Sequence, residues 1–363
     1  MQALPIFGGV VLSLYDRIMK ECIVYKAEKN NSVRCCACSH FCLIKEGNVG
    51  LCGVRLARGK KLYLLTYGKA VAAHIDPIEK KPLYHFLPGS RAYSLGTLGC
   101  NLRCSNCQNF DISQMFGMKG IVSSYGKFNW GLKMNPRTIV EKARESGCDS
   151  IAYTYNEPTI FLEYALDIMK YAHEKGLKNV WVTNGYMSSD TLELILPLLD
   201  AANVDIKSFD PKFYRNHCGA KLQPILENCE KIVQGGIWLE VTTLVIPGLS
   251  DDSAMLNGLA RYIAEKLGLA VPWHISAFSG SISWKMQEVQ DTPFEKMKEV
   301  RKIGKKAGLK FVYLGNILDM IGSDTECPRC GERVVERVFY KVARSDERGA
   351  CRSCGFQLPG VWN

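Results

Sequence analysis

The sequence lacks the features that mark membrane-spanning, secreted or repetitive proteins. Its longest early apolar run, residues 4–15, is too short to span a bilayer and has no basic leading segment of the kind found in secretory signals. No repeat of solenoid period and no low-complexity segment is apparent. We therefore expect a cytoplasmic protein without a membrane span, in which the early apolar run is buried in the fold.

A long block of charge of one sign is also missing. The 46 Lys and Arg residues and the 36 Asp and Glu residues give a net charge of +10, but they are mixed along the chain, as in residues 332–348. Scattered positive charge favours solubility and gives little support for an anionic partner, so nucleic acid binding is not predicted. The 47% hydrophobic and 23% charged content is typical of a folded, enzyme-like chain.

Cysteine, by contrast, is abundant. Sixteen cysteines without a signal peptide would be hard to keep as disulfides in a reducing cytosol, so metal binding is the expected use. Five are scattered and are predicted to be small buried hydrophobic residues: Cys22, Cys36, Cys148, Cys218 and Cys229. The other eleven form three tight groups, which are Cys35, Cys38, Cys42 and Cys52; Cys100, Cys104 and Cys107; and Cys327, Cys330, Cys351 and Cys354.

Short β-rich runs alternate with longer helical patterns over residues 92–314, which indicates βαβ units and a parallel sheet. Six helices around six or seven strands are too few for a closed barrel of eight units, so we expect an α/β fold with a partial (β/α)6-type barrel. The predicted strands are 92–98, 150–154, 179–183, 203–207, 238–245, 273–277 and 310–314. The predicted helices are 136–146, 159–175, 188–199, 222–234, 253–267 and 293–307.

Cysteine-rich flanks enclose this barrel, and we predict three domains: an N-terminal cysteine-rich module at residues 1–87, the barrel at 88–321 and a zinc ribbon at 322–363. The ribbon prediction rests on paired C-x2-C knuckles, Cys327 with Cys330 and Cys351 with Cys354, each followed by a glycine. We expect zinc there, in a structural or interaction module.

The N-terminal group has the spacing C-x2-C-x3-C-x9-C, from Cys35 through Cys38 and Cys42 to Cys52. Four thiolates can close either a zinc site or a second iron–sulfur cluster, and the sequence leaves both open. Closed coordination of this kind argues against direct substrate chemistry at the site. His40 is expected to be solvated or to support a ligand.

The central group follows the first predicted barrel strand in the segment Gly-Cys-Asn-Leu-Arg-Cys-Ser-Asn-Cys, residues 99–107. Its cysteines therefore lie at the carboxyl end of a parallel strand, where barrel enzymes keep their chemistry. Cubane clusters are normally held by four thiolates, so three cysteines leave one iron open to another ligand. The alternative is a zinc knuckle completed by a distant fourth ligand.

This C-x3-C-x2-C spacing resembles the radical S-adenosylmethionine (SAM) superfamily. The resemblance implies that Cys100, Cys104 and Cys107 hold a [4Fe-4S] cluster whose open iron chelates SAM. Reductive cleavage of SAM would then give methionine and a 5′-deoxyadenosyl radical that abstracts hydrogen from a substrate.

Further segments at predicted strand ends support the resemblance, in particular to glycyl-radical activating enzymes. It implies that Glu157 binds the amino group of SAM, although Glu157 can also be a helix-start acid. Asn184, Asp205 and Lys207 would meet the ribose and carboxylate of SAM. His274 would lie near SAM, or else be a histidine satisfied within the core.

The segment 73–89, together with the first cysteine group and residues 99–109, closely resembles the radical SAM component of the AmmeMemoRadiSam system. That family is similar to pyruvate formate-lyase activating enzymes. The resemblance implies a low-potential donor such as ferredoxin or flavodoxin, and Memo-like and Amme-like proteins as partners. Polar residues of this segment either face the substrate or form a solvated loop: His74, Asp76, Glu79, Lys80, Lys81 and His85.

We therefore predict a radical SAM oxidoreductase acting on an unidentified substrate. One alternative is an activase that forms a glycyl radical on a protein, and another substrate class is a small molecule or lipid. A different reading is a metal-stabilised binding or scaffold protein in which all three cysteine groups are structural.

Overall fold

The computed structural model of the protein describes residues 19–115, 131–317 and 322–363. The early apolar run at 4–15 lies outside these residues.

The centre of the fold is an eight-stranded sheet. Seven of its strands are parallel, and the edge strand Ala72–Pro77 runs antiparallel to its neighbour. In spatial order the strands are Val312–Gly315, Trp273–Ala277, Trp238–Val245, Ala201–Asp205, Lys178–Thr183, Ser150–Tyr153, Arg91–Gly96 and Ala72–Pro77. The predicted α/β fold with a mostly parallel sheet is confirmed, and all seven predicted strands are present within two residues of their predicted starts.

The strand Ala72–Pro77 was not predicted, although it lies in the stretch assigned to the N-terminal module. It carries His74 and Asp76 and ends in proline, a composition that does not indicate a strand. It forms because its backbone pairs along the free edge of Arg91–Gly96, with Ala72 opposite Gly96 and Pro77 opposite Arg91. Residues before Pro88 therefore contribute to the central sheet.

Helices follow the parallel strands and pack their apolar faces on the sheet. The first of the long helices begins at Pro136, a residue suited to the first turn, and Asn135 caps it by accepting from the backbone N–H of Thr138. The α-helices are Phe110–Ser113, Pro136–Glu145, Leu162–Glu174, Ser189–Ile195, Pro211–Phe213, Gln223–Gln234, Ser253–Tyr262 and Phe294–Lys306. Single π-helical turns lie at Tyr214–Cys218 and Ile263–Leu267, and 3-10 turns at Ile78–Lys80, Pro158–Phe161, Leu196–Leu198 and Gly280–Ile282.

The N-terminal module consists of small antiparallel sheets docked on the barrel. Its strands are Lys20–Glu21, Tyr25–Ala27, Ser32–Cys35, Leu43–Lys45, Arg55–Arg58, Lys61–Leu64 and Lys69–Ala70, the last paired with Leu132–Lys133. Arg55 reaches across the interface to Glu163 at 2.8 Å, and both side chains are 1% exposed. This buried ion pair fixes the module to the start of helix Leu162–Glu174, because a buried charge is stable only when it is paired.

The C-terminal module packs beneath the sheet, at the amino ends of the parallel strands. Its strands are Thr325–Glu326, Arg333–Val338, Lys341–Arg344, Asp346–Glu347 and Ala350–Cys351. The side chains of Phe311 and Tyr313, from the end of the barrel, share a buried apolar cluster with Cys327, Val335 and Leu358. The ribbon is therefore part of the barrel's base.

A buried polar cluster closes this base around His85. The ring Nδ1 of His85 lies 2.8 Å from the carbonyl oxygen of Pro359, which can only accept, so Nδ1 carries the hydrogen. Nε2 then accepts from the hydroxyl of Tyr313 at 2.7 Å. A neutral His85 thus links the barrel to the C-terminal tail.

We expect His85 to make stability depend on pH. Burial lowers the pKa of His85 to about 4; Glu240 opposes this shift, while Arg337 and His274 add to it. Because the pKa of His85 is lower in the folded state than in the unfolded state, the unfolded state binds the proton more readily below pH 6.5. The contribution of neutral His85 to the free energy of unfolding is therefore fully present above pH 6.5 and is lost as the pH falls towards 4. The loss is at most about 1.4 kcal/mol per pH unit.

Denaturant unfolding between pH 7 and pH 5 tests this, with His85→Phe as the comparison. The free energy of unfolding of the wild type should fall more steeply with acidification than that of the variant. Equal slopes would show that His85 does not carry the effect.

Candidate active site

The carboxyl ends of the parallel strands surround a cavity of about 520 Å³. Seven of the eight residues predicted to serve the cluster and SAM line it, although they come from four separate loops. They are Cys100, Cys104, Cys107, Glu157, Asn184, Asp205 and Lys207. The structure therefore brings together residues that are more than a hundred positions apart in the sequence.

Asn156, which follows the neighbouring strand Ser150–Tyr153, holds the cysteine loop that comes after strand Arg91–Gly96. The Asn156 side chain accepts from the backbone N–H of Thr97 at 3.2 Å and donates to the carbonyl of Gly99 at 2.8 Å. Gly99 has a φ of +91°, and a Cβ there would collide with the carbonyl oxygen of Cys52 in the N-terminal module. Only glycine suits this position, because the backbone is in the left-handed region and the modules touch there.

The far side of the same loop is tied to the π-helical turn Tyr214–Cys218. The backbone N–H of Arg103 donates to the carbonyl of Cys218 at 2.9 Å, and that of Ser105 donates to the carbonyl of His217 at 2.9 Å. Two clamps from separate loops thus fix the three cysteines before any ligand binds.

The three thiols are spread around the cavity. Cys100 Sγ accepts from the backbone N–H of Leu102 at 3.4 Å, and Cys107 Sγ lies 3.1 Å from the hydroxyl of Ser113. Among the described residues they do not form a group with ligand atoms all within 4.8 Å of one another, which a single ion would require. Thiolates separated around a common space fit a cluster, in which each binds a different iron.

Cys104 has a further sulfur neighbour. The neighbouring thiol of Cys218 lowers the pKa of the Cys104 thiol, although burial raises it. Cys218 itself is fully buried. Sequence reasoning assigned Cys218 to the core, which is where it lies, but missed its contact with a cluster cysteine.

Glu157 is both a cavity residue and a cap. One carboxylate oxygen accepts from the backbone N–H of Thr159 at 3.1 Å and from the hydroxyl of Thr183 at 2.8 Å, and the other accepts from the backbone N–H of Asn184 at 2.8 Å. Burial raises the pKa of Glu157 and these hydrogen bonds oppose the rise. The helix-start role considered for Glu157 is therefore real, and it coexists with a place in the cavity wall.

Asp205 and Lys207 form an ion pair at 2.8 Å on the cavity wall. Burial lowers the pKa of Lys207, but the charges of Asp205 and Cys104 outweigh it and the pKa lies well above the ordinary value. Lys207 is thus a fixed cation beside the cysteine loop.

Two cavity residues have polar atoms without a hydrogen-bond partner among the described residues, the Oδ1 of Asn106 and the Oε1 of Gln114. Both atoms are buried, and an unpaired buried polar atom is costly. A polar ligand in the cavity would satisfy them, which agrees with a zwitterionic cofactor such as SAM.

His274 does not line the cavity. It is 4% exposed, its Nε2 lies 2.6 Å from Glu240, and its ring packs between Tyr84 and Tyr313 at the barrel base. Ser276, two residues further along the same strand, is the residue that reaches the cavity. Of the two alternatives for His274, the structure agrees with a histidine satisfied within the core: its strand reaches the cavity, but His274 lies one layer deeper than Ser276.

The polar segment 73–89 divides between the two ends of the barrel. Lys80 and Lys81 line the cavity, and Lys81 pairs with Asp76 at 2.7 Å. The hydroxyl of Tyr155 donates to the same carboxylate at 2.7 Å. Glu79 and His85 are buried at the base and do not face the cavity, while His74 is exposed beside Tyr155.

The C-terminal cysteines have the spacing of a tetrahedral metal site. The sulfur atoms of Cys327 and Cys354 are 3.6 Å apart, as are those of Cys330 and Cys351, and all four lie within 4.8 Å of one another. Zinc–sulfur bonds of about 2.3 Å in a tetrahedron place sulfurs roughly 3.8 Å apart. The group can therefore hold one metal ion, and zinc stays the prediction.

Residues 95–256 match the Radical SAM superfamily. An uncharacterized protein of Methanocaldococcus jannaschii is 39% identical over 343 residues, which are 94% of this chain and 99% of that protein. The chain belongs to the radical SAM superfamily. Within the superfamily it is similar to the pyruvate formate-lyase-activating enzyme of Clostridium pasteurianum, at 25% identity over 213 residues, covering 56% of this chain and 86% of that enzyme.

A crystal structure of a domain of the pyruvate-formate lyase-activating enzyme from Bacteroides vulgatus matches this radical SAM enzyme with a TM-score of 0.41 and 17% identity, covering 46% of this chain and 99% of that domain. No helix in the described part of the chain is long and apolar enough to cross a membrane.

Several supporting residues of this radical SAM enzyme were missed from sequence. Asn156 is not among the predicted site residues, yet it holds the cysteine loop. Asn101 was quoted within the motif, but its side chain joins Asn184 at 2.8 Å across the site. Their positions next to motif residues at the ends of predicted strands could have indicated a role in the site. The contacts that they make are visible only in the three-dimensional structure.

We expect Cys218→Ala to lower the reduction potential of a cluster bound to Cys104. A hydrogen bond to a ligand sulfur favours the more negative reduced state, and about 1 kcal/mol of difference between the two states corresponds to roughly 40 mV. A potentiometric titration followed by electron paramagnetic resonance (EPR) measures the shift. Cys229→Ala, at another fully buried cysteine, is the control, and equal potentials in both variants would contradict the role of Cys218.

Proposed function

We propose that this radical SAM enzyme holds a [4Fe-4S] cluster on Cys100, Cys104 and Cys107, cleaves SAM reductively and abstracts hydrogen from a substrate. The observation that supports it is that the three thiols share one cavity with Glu157, Asn184, Asp205 and Lys207. The cluster supplies the electron and an open iron for SAM, and the protein supplies position and a dry site.

The protein's own groups match the charges of SAM. Glu157 is a buried carboxylate suited to an ammonium group, and Lys207 is a partly buried cation beside the cysteine loop suited to a carboxylate. Asn184 is held by Asn101 and by its own turn, since its Oδ1 accepts from the backbone N–H of Tyr186 at 2.9 Å. Its position in the cavity wall is therefore fixed before SAM binds.

Cys104→Ala is the first test. After anaerobic reconstitution and reduction with SAM, the wild type should form 5′-deoxyadenosine and the variant should form none, because only a cluster with all three thiolates holds SAM at an open iron. Cys148→Ala removes a buried cysteine away from the cavity and is the matched control. A wild type that binds iron and sulfide but forms no product, or that binds no iron, would favour the metal-stabilised scaffold instead.

Glu157→Gln tests the SAM-binding role. The change keeps the shape but removes the charge that attracts the ammonium group, and hydrogen bonds to charged groups contribute about 1.5–3 kcal/mol, so the Kd for SAM should rise roughly tenfold or more. Isothermal titration of the reconstituted protein measures it, with the melting temperature as a check on folding. Unchanged affinity in a folded variant would remove Glu157 from the SAM site.

The finer proposal concerns substrate and partners. Relatives at 22–25% identity are activating enzymes by name, and this supports a protein substrate on which a radical is formed. Transfer of deuterium from a labelled polypeptide into 5′-deoxyadenosine would identify such a substrate, whereas transfer only from a small molecule or lipid would exclude the activase version. A ferredoxin or flavodoxin as donor, and Memo-like and Amme-like proteins as partners, belong to the same proposal.

A further inference from the structure

The four N-terminal cysteines enclose a small cavity of their own. Cys35, Cys38, Cys42 and Cys52 all line it, and its volume is about 10 Å³, against about 520 Å³ for the large cavity. Among the described residues their sulfurs do not form a group within 4.8 Å of one another, in contrast to the ribbon cysteines. Thiols arranged around such a space suit a cluster, in which each binds a different iron, better than one zinc ion that all four must contact.

The surroundings of this cavity also fit a cluster. Asn101 lines it and is 2% exposed, and its Nδ2 has no hydrogen-bond partner among the described residues. The N–H of this amide is therefore available to donate a hydrogen bond to a cluster sulfur. Arg55, which lines the same cavity, adds a buried positive charge that opposes the negative charge of the thiolates.

His40 does not compete for the metal through its Nε2. That atom lies 2.8 Å from the carbonyl oxygen of Asn101, so it carries a hydrogen and donates it. The contact ties the N-terminal site to the cysteine loop instead.

The two sites touch through the cysteine loop. Cys100 lines the large cavity and the next residue, Asn101, lines the small one. Arg103 donates to the carbonyl of Leu51, and Gly99 lies against the carbonyl of Cys52. Leu51 lines the small cavity and is 53% exposed, so this cavity lies close to the protein surface.

We propose that Cys35, Cys38, Cys42 and Cys52 hold a second [4Fe-4S] cluster, which passes electrons to the three-cysteine loop. This inference rests on the proposed function, because SAM and substrate would fill the large cavity and leave the N-terminal side for the donor. A reduced ferredoxin or flavodoxin gives one electron, and the N-terminal cluster goes from [4Fe-4S]²⁺ to [4Fe-4S]⁺. It returns to the oxidised state as the catalytic cluster is reduced by that electron, and no atom is transferred.

The metal is tested in a chain in which Cys100, Cys104 and Cys107 are all changed to Ala. After anaerobic reconstitution this chain should still bind about four iron and four sulfide and show a [4Fe-4S]⁺ EPR signal on reduction. Adding Cys38→Ser and Cys52→Ser should remove both, whereas adding Cys22→Ser and Cys36→Ser, at buried cysteines outside the cavity, should not. Zinc without sulfide at the N-terminal cysteines would overturn the proposal.

The relay is tested without SAM turnover. In the Cys38→Ser, Cys52→Ser chain, rapid-freeze EPR should show reduction of the three-cysteine cluster by reduced flavodoxin slowed roughly tenfold or more, because a buried cluster is less accessible to a protein donor than one near the surface. Dithionite, a small reductant, should still reduce it. An unchanged flavodoxin rate would overturn the relay, and failure to form 5′-deoxyadenosine in every chain would count against the proposed function alone.

Asn101→Leu leaves the four N-terminal cysteines in place. In the chain lacking the three loop cysteines, it should lower the potential of the N-terminal cluster, because the amide donor is lost. An identical potential would show that Asn101 does not face a cluster there.

Discussion

The site depends on how firmly the loop of residues 97–107 is held. Asn156 clamps its start, the π-helical turn Tyr214–Cys218 clamps its middle, and the N-terminal module presses on Gly99. A loop carrying three thiolates would otherwise have to be ordered by its ligand, at a cost in conformational entropy. Here the loop is already ordered before a ligand binds, because the residues that hold it belong to strands and turns fixed by the sheet.

The base of the barrel, at the amino ends of the parallel strands, is held together by a second set of buried contacts. Glu240 accepts from the backbone of Tyr84 and His85 and pairs with His274, and Arg337 of the C-terminal module donates to the carbonyl of Tyr84. These contacts pack the amino ends of the strands, opposite the end at which the cavity lies. The cysteine-rich modules before and after the barrel are thus bound to a sheet that they help to shape.

Much of this could be read from the sequence, and the failures have physical reasons. The parallel strands and the seven cavity residues were predictable, because hydrophobic periodicity gives the strands and parallel order brings their carboxyl ends together. The two alternatives for His274 could not be separated from sequence, because a strand's period gives its face but not the layer at which a side chain lies. The strand Ala72–Pro77 was missed because it forms by edge pairing rather than by composition. The contact of Cys218 with Cys104 joins two distant segments, and no spacing rule predicts it.

The central claim is that a cluster on the loop cysteines binds SAM at an open iron next to Glu157 and Lys207. The most direct measurement is the EPR spectrum of the reduced cluster with and without SAM, in a chain whose four N-terminal cysteines are changed to Ser so that one cluster remains. The account predicts that SAM changes the spectrum, because its amino and carboxylate groups bind the open iron. A spectrum that is the same with saturating SAM would contradict it.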